Sequence, residues 1–143
     1  MNHGRLVAFD IGMRRVGVAV GETETGMMFP RPCIVRSAPG YRTLLAEMRR
    51  LIREEEPQFV VVGLPLKPDG TDGPMTLEAR AVADRLQRSV DAEVVLFDER
   101  LSSFDAEERL KQAGITSFAA KSKLDSAAAC VIGEGWMASG RSV

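Results

Sequence analysis

Apolar positions change period along the chain, and the changes mark its elements. Leu6-Val7-Ala8-Phe9 is a short continuous apolar run stopped by Asp10, which predicts a buried strand. Arg15-Val16-Gly17-Val18-Ala19-Val20 alternates large and small residues and predicts a second strand, packed closely on one face. The short link Ile11-Gly12-Met13-Arg14 suggests a hairpin between them. Residues 27–36 read as a third extended segment. Pro30 and Pro32 place it at a sheet edge, because proline cannot donate to a ladder.

The period then becomes helical. Leu44, Met48, Leu51 and Ile52 share one face of a helix ending before Pro57. Phe59-Val60-Val61-Val62, closed by Gly63-Leu64-Pro65, predicts a central buried strand. Met75, Ala79, Val82, Ala83, Leu86 and Val90 form a second helical stripe, with Pro74 suited to the first turn. Val94-Val95-Leu96-Phe97 predicts another buried strand, running into Asp98-Glu99-Arg100. Ser102 with Asp105 resembles a capping box that opens a helix to about Gln112. Residues 122–137 predict a last helix, apolar nearly all round and therefore buried.

The order is β-β-β-α-β-α-β-α-α. Hairpins first and alternation later imply one mixed five-stranded sheet with helices on its faces, an α/β fold. Sites in such sheets form beyond the carboxyl ends of the parallel strands. Those ends are Asp10, Gly63-Leu64-Pro65 and Asp98-Glu99.

Three acids stand out. Asp10 ends the first strand, and Asp98 and Glu99 end the last. Asp98 and Glu99 point to opposite faces, and Glu99, with the longer reach, is preferred as the acid facing Asp10. Asp98 is left to cap the turn or pair with Arg100. Asp125 sits near the start of the apolar final helix, where the helix dipole favours an anion, and Ala127-Ala128-Ala129 lets that helix approach the sheet. Carboxylates gathered in a partly buried place repel one another, and a divalent cation removes that penalty. All-oxygen ligands suit Mg²⁺ or Mn²⁺. A zinc site is disfavoured, with His3 the sole histidine and expected in a frayed terminus.

The 143 residues have the size of one domain, read as residues 1–143. Cys33 and Cys130 are expected as buried free thiols, which suits a reducing cytosol. No run approaches the ~18 apolar residues of a membrane span, and no signal peptide is read at the start. The expected location is cytoplasmic. Net charge is −1 and pI about 5.9, so nucleic-acid binding would depend on where the basic residues sit. Arg14, Arg15, Lys67, Arg100, Lys121 and Lys123 fall near the acidic end on this topology and are candidate phosphate contacts. The long loop Gly63–Pro74 is a candidate substrate flap. Gly21–Gly26 has the spacing of a P-loop start, but Met27-Met28 follows where Lys and Ser/Thr are needed. A serine triad has no credible histidine.

Four stretches together resemble the YqgF/RuvX family of Holliday-junction resolvases, in the RNase H-like superfamily. They are Ala8–Gly12 with Arg15–Gly21, Val61–Leu66 with Asp69-Gly70-Thr71, Asp98–Ser102, and Asp125–Ala129. No single motif is specific, but four in family order across about residues 5–137 are. The resemblance implies an RNase H-like sheet of order 3-2-1-4-5 and a Mg²⁺- or Mn²⁺-dependent nuclease with catalytic Asp10, Glu99 and Asp125. It implies branched DNA or the 5′ end of precursor 16S rRNA as substrate. A two-fold homodimer would suit a symmetric cut across a four-way junction. Met13 and Lys67-Pro68 depart from the usual pattern without touching an acid. Gly63-Leu64-Pro65 supplies no carboxylate, so one and two metal ions both stay open. Two other readings compete: a non-catalytic RNA-binding ribosome-assembly factor, and an actin/Hsp70-like phosphotransferase suggested by Asp10-Ile11-Gly12.

Overall fold

A computed structural model describes residues 2–37, 40, 42–101 and 118–139, with side chains for all of these except 2, 3, 101 and 118–125. The strands are β1 (Asn2–Ile11), β2 (Arg15–Glu22), β3 (Met27–Val35), β4 (Pro57–Leu64) and β5 (Glu93–Asp98). The helices are α1 (Arg42–Glu55), α2 (Pro74–Ser89) and α3 (Phe118–Ala138), with a single 3₁₀ turn over Glu99–Leu101. The sheet order is β3-β2-β1-β4-β5. β1, β2 and β3 pair antiparallel, whereas β1–β4 and β4–β5 are parallel. This is the RNase H-like order that the family resemblance implies.

Alternating strand residues divide the core into two layers. Val7, Phe9, Val18, Val60 and Val62 face α1 and α2, meeting Leu44, Met48, Ala79, Val82 and Leu86. Leu6, Ala8, Ala19 and Val61 face α3, meeting Ala129, Ile132 and Trp136. Eight of the eleven residues of α3 from Ser126 to Trp136 are buried and the other three half-buried, in keeping with a helix apolar nearly all round.

Several expectations need correction. β5 is an edge strand and only half-buried, with Leu96 exposed, because β4 is its sole strand neighbour in the sheet. β1 begins at Asn2, so pairing with the start of β4 holds His3 in a strand where fraying was expected. Cys130 is buried but Cys33 on the edge strand is only partly so, and neither forms a disulfide. The close approach of α3 also has a different source. Of the three alanines, only Ala129 belongs to the sheet-facing cluster. Gly133 and Gly135 give the room: a Cβ there would lie 2.6 Å from Met28 Cε and 2.9 Å from Phe97 Cζ respectively. The capping box at Ser102 and its helix to Gln112 lie outside the described residues.

One contact ties α3 to the sheet. The β2–β3 ladder slips between Val16 and Val18, a bulge. There the Ser126 hydroxyl donates to the Arg31 carbonyl at 2.5 Å and accepts from the Val18 N–H at 3.4 Å. It stands between two facing strand positions as a surrogate ladder bond. Ser126 is fully buried, so removing the hydroxyl strands a donor and an acceptor. Ser126→Ala is expected to lower unfolding free energy by roughly 1–3 kcal/mol, read by urea denaturation, with Ser126→Thr retaining most of it.

Candidate functional site

The carboxyl ends of β1, β4 and β5 lie side by side. Phe9 pairs with Val62, Gly63 with Phe97, and Leu64 with Asp98. Leu6 and Ala8 face α3, so Asp10 does too; Val61 carries Gly63 to the same face. Val95 and Phe97 also pack there, which sends Asp98 to the other face. The chain then turns at Glu99, whose side chain lies back over Gly63. A Cβ on Gly63 would be 2.8 Å from both Cγ and Cδ of Glu99 and 2.6 Å from Ile132 Cδ1.

Asp10 on β1 and Glu99, just past the end of β5, stand either side of β4, whose neighbouring strands are two spacings of ~4.8 Å apart. The missing side chain at Gly63 leaves a lane over which Glu99 reaches its partner. The two carboxyl groups are hydrogen-bonded, so one carries a proton. Glu99 is only 8% exposed. Burial first, then the hydrogen bond with Asp10, then the charges of Asp10 and Asp98 push the Glu99 carboxyl up to about 9.

Gly63 is a site residue that the sequence did not disclose, because its role depends on strand register. Gly63→Ala is expected to push the Glu99 carboxyl off Asp10. Any divalent-metal affinity should then fall by roughly 10–100-fold, the range seen when a ligand's support is lost, which calorimetry would measure. Fold retention is checked by circular dichroism.

Asp98 accepts from the Arg100 backbone N–H at 3.0 Å and from Arg100 Nη2 at 2.7 Å. The Arg100 hydrogen bond holds the Asp98 carboxyl below the usual range despite partial burial. Arg100 Nη1 also approaches the Pro68 carbonyl at 3.5 Å, tying the 3₁₀ turn to the β4–α2 loop. That loop has its own order. Lys67 N–H donates to Thr71 O and Gly70 N–H to Lys67 O, and Asp69 Oδ1 accepts from the Thr71 N–H and hydroxyl.

Of the other predicted residues, Arg14 and Lys67 are exposed at this end of the sheet, and Arg15 is half-buried and already engaged. Lys121, Lys123 and Asp125 lie on the backbone of α3 ahead of Ser126, and their side chains are outside the described residues. Among the described residues no group of three His, Cys, Asp or Glu side chains forms a metal cluster. The described part of the site is thus a pair of acids.

Residues 4–139 match the family model described as RuvX, Holliday junction resolvase. Escherichia coli proteins, from strain K12/DH10B and from O157:H7, are named as candidate pre-16S rRNA nucleases. Each is 40% identical over 139 residues, covering 96% of this chain and 98% of the relative. Among solved structures, Thermus thermophilus RuvC in complex with a Holliday junction substrate aligns with TM-score 0.63 at 12% identity, covering 98% of both chains. The fowlpox virus resolvase, crystallised with Holliday junction DNA, aligns with TM-score 0.59 at 11% identity, covering 96% of this chain and 99% of that one. At such identities the structures share the fold, whereas the family match covers nearly the whole sequence: the chain belongs to the RuvX family of Holliday junction resolvases.

Proposed function

We propose that residues 1–143 act as one metal-dependent endonuclease domain that hydrolyses nucleic-acid phosphodiesters, cutting branched DNA or trimming the 5′ end of precursor 16S rRNA. The observation that carries this is the meeting of half-buried Asp10 and buried Glu99 over Gly63 at the carboxyl end of the parallel strands, in a chain of the resolvase family. Both substrate classes come from relatives: junction DNA from the resolvases, and precursor rRNA from the bacterial proteins 40% identical to this one.

The donor chemistry fits a hard divalent cation. Two carboxyl groups forced together can stay only if a proton or a cation neutralises them. Their oxygens suit Mg²⁺ or Mn²⁺. Asp10 and Glu99 would hold the ion, with Asp125 as the third ligand. Such an ion supplies an activated water and stabilises the leaving oxygen of an in-line phosphoryl displacement. The chain's own part is to fix the acids, exclude solvent from Glu99 and hold the substrate backbone. Arg14, Arg15, Lys67, Lys121 and Lys123 serve the last task as phosphate contacts. Arg100, chelated by Asp98, steadies the turn that bears Glu99 and lends its remaining charge to the groove. No described helix is long and apolar enough to cross a membrane, and a cytoplasmic location suits either substrate. A symmetric junction cut calls for a homodimer.

The test is a Mn²⁺ cleavage panel of a four-way DNA junction, single-stranded DNA and precursor rRNA, run with wild type and Asp10→Asn. Cleavage of a branched or precursor substrate by wild type alone supports the reading. Equal turnover by both proteins removes it. Rescue of rRNA maturation in cells by the Asp10→Asn chain would replace it with the non-catalytic assembly factor.

A further inference from the structure

The β1–β2 turn presents an exposed methionine on a braced support. Met13 is 79% exposed, more than any other large apolar side chain described as exposed. A lone exposed apolar residue needs no explanation by itself, but this one stands on a built platform. Gly12 N–H donates to the Arg15 carbonyl at 2.9 Å and closes the turn. Arg36 N–H donates to the Arg14 carbonyl at 2.9 Å. Arg36 Nη1 donates to the Gly12 carbonyl at 2.9 Å and pairs with Glu78 of α2. The Arg36 side chain is itself only 10% exposed. A buried cation thus clamps the turn to the end of β3 and to α2. The turn follows Asp10 directly, at the same sheet end as Glu99, and Arg14 beside Met13 is also exposed.

A thioether is at best a weak acceptor, so methionine cannot read the polar edges that bases present in a groove. What it can contact is a thymine methyl group or the apolar face of a ring, and in an intact duplex the ring faces are covered by stacking. Apolar side chains that take a ring face accordingly do so where bases are unstacked. We propose that Met13 packs on an unstacked nucleobase while Arg14 meets the adjoining phosphate. The pair directs cutting to strands with an open base: a branch point, a frayed end or a single-stranded flank. This rests on the nuclease reading above and adds the local substrate feature that the site selects.

The experiment uses the full chain in EDTA, with 2-aminopurine placed at the branch of a four-way junction, in a single strand and in a matched duplex. Wild type is expected to bind the first two with a rise in fluorescence. Met13→Ala and Met13→Gln should weaken that binding by about tenfold, as loss of one buried apolar side chain implies, and abolish most of the rise. Duplex binding should not change, and Met13→Leu should restore both signals. Thermal melting should be the same for all variants, since the side chain is exposed. If Met13→Ala matches wild type in affinity and fluorescence, the inference is overturned and the nuclease reading stands. If wild type binds none of the probes, the inference is overturned, and the Mn²⁺ cleavage panel decides the nuclease reading separately. A change of mass in light scattering on Met13→Ala would assign the residue to contact between copies of the chain and also overturn the inference.

Discussion

Replacing Glu99 with glutamine is expected to abolish cleavage and, in the same protein, to stabilise the metal-free fold at alkaline pH. Under the proposed function Glu99 is a metal ligand, and an amide is a poor substitute for a carboxylate there. Loss of a transition-state contribution of ~4 kcal/mol is already about a thousandfold in rate. Stability should move the other way. Glu99 lies under α3, beside Asp10, with its carboxyl pushed up to about 9 by burial and by that neighbour. A folded-state value above the unfolded value of about 4.5 means the folded chain holds the proton longer. The stability associated with that proton is complete below about pH 4.5 and drains away as pH climbs to about 9, at no more than ~1.4 kcal/mol per pH unit. Glutamine does not titrate, and its amide can still donate to Asp10. In EDTA, the melting temperature of Glu99→Gln relative to wild type should therefore be higher at pH 8 than at pH 5. A constant offset between the two pH values would show that Glu99 does not titrate across this window.

Affinity for Mn²⁺ should climb steeply with pH. An ion can occupy the Asp10–Glu99 pair only after the shared proton leaves, and that proton is held until about pH 9. Each unit of pH below this value should weaken binding by up to about tenfold. Across the two units from about pH 6.5 to 8.5 the change approaches a hundredfold. Calorimetry in two buffers of different ionisation enthalpy should find about one proton released per ion bound, and Asp10→Asn should lose both binding and release. A pH-independent affinity without proton release would place the metal elsewhere and remove the acid pair from the proposed chemistry.

Much of this arrangement is legible along the chain, and the parts that are not share a cause. The strand–strand–strand opening and the later alternation give the sheet its mixed character, and the five strands run in the expected order. Asp10 is visible because it interrupts an apolar run. The choice between Asp98 and Glu99 is harder. Val94-Val95-Leu96-Phe97 is apolar at every position, so its pattern hides which face each residue takes; only the packing of Val95 and Phe97 against α3 settles it. The same uniformity made β5 read as a fully buried strand, whereas it lies at an edge. Gly63 looks like a turn former until register sets it between two acids. Ser126 looks like a small residue on a helix until the β2–β3 bulge leaves two backbone groups for it. Each depends on a contact between residues far apart in sequence, which periodicity does not encode.

The other margin of the sheet has a bearing on how copies of this chain can meet. At Arg31 the carbonyl turns inward, toward Val18 and the Ser126 hydroxyl. Strand alternation therefore turns the neighbouring Pro30 outward, and proline has no amide hydrogen to offer there. Pro32 also lacks one. The open rim of β3 consequently shows carbonyl oxygens with few matching hydrogens, and an incoming strand would find little to zip onto. Molecules crowded together at high concentration are thereby kept from adding strands at this margin, and two that pair to act on one junction would not share a ribbon of backbone along β3.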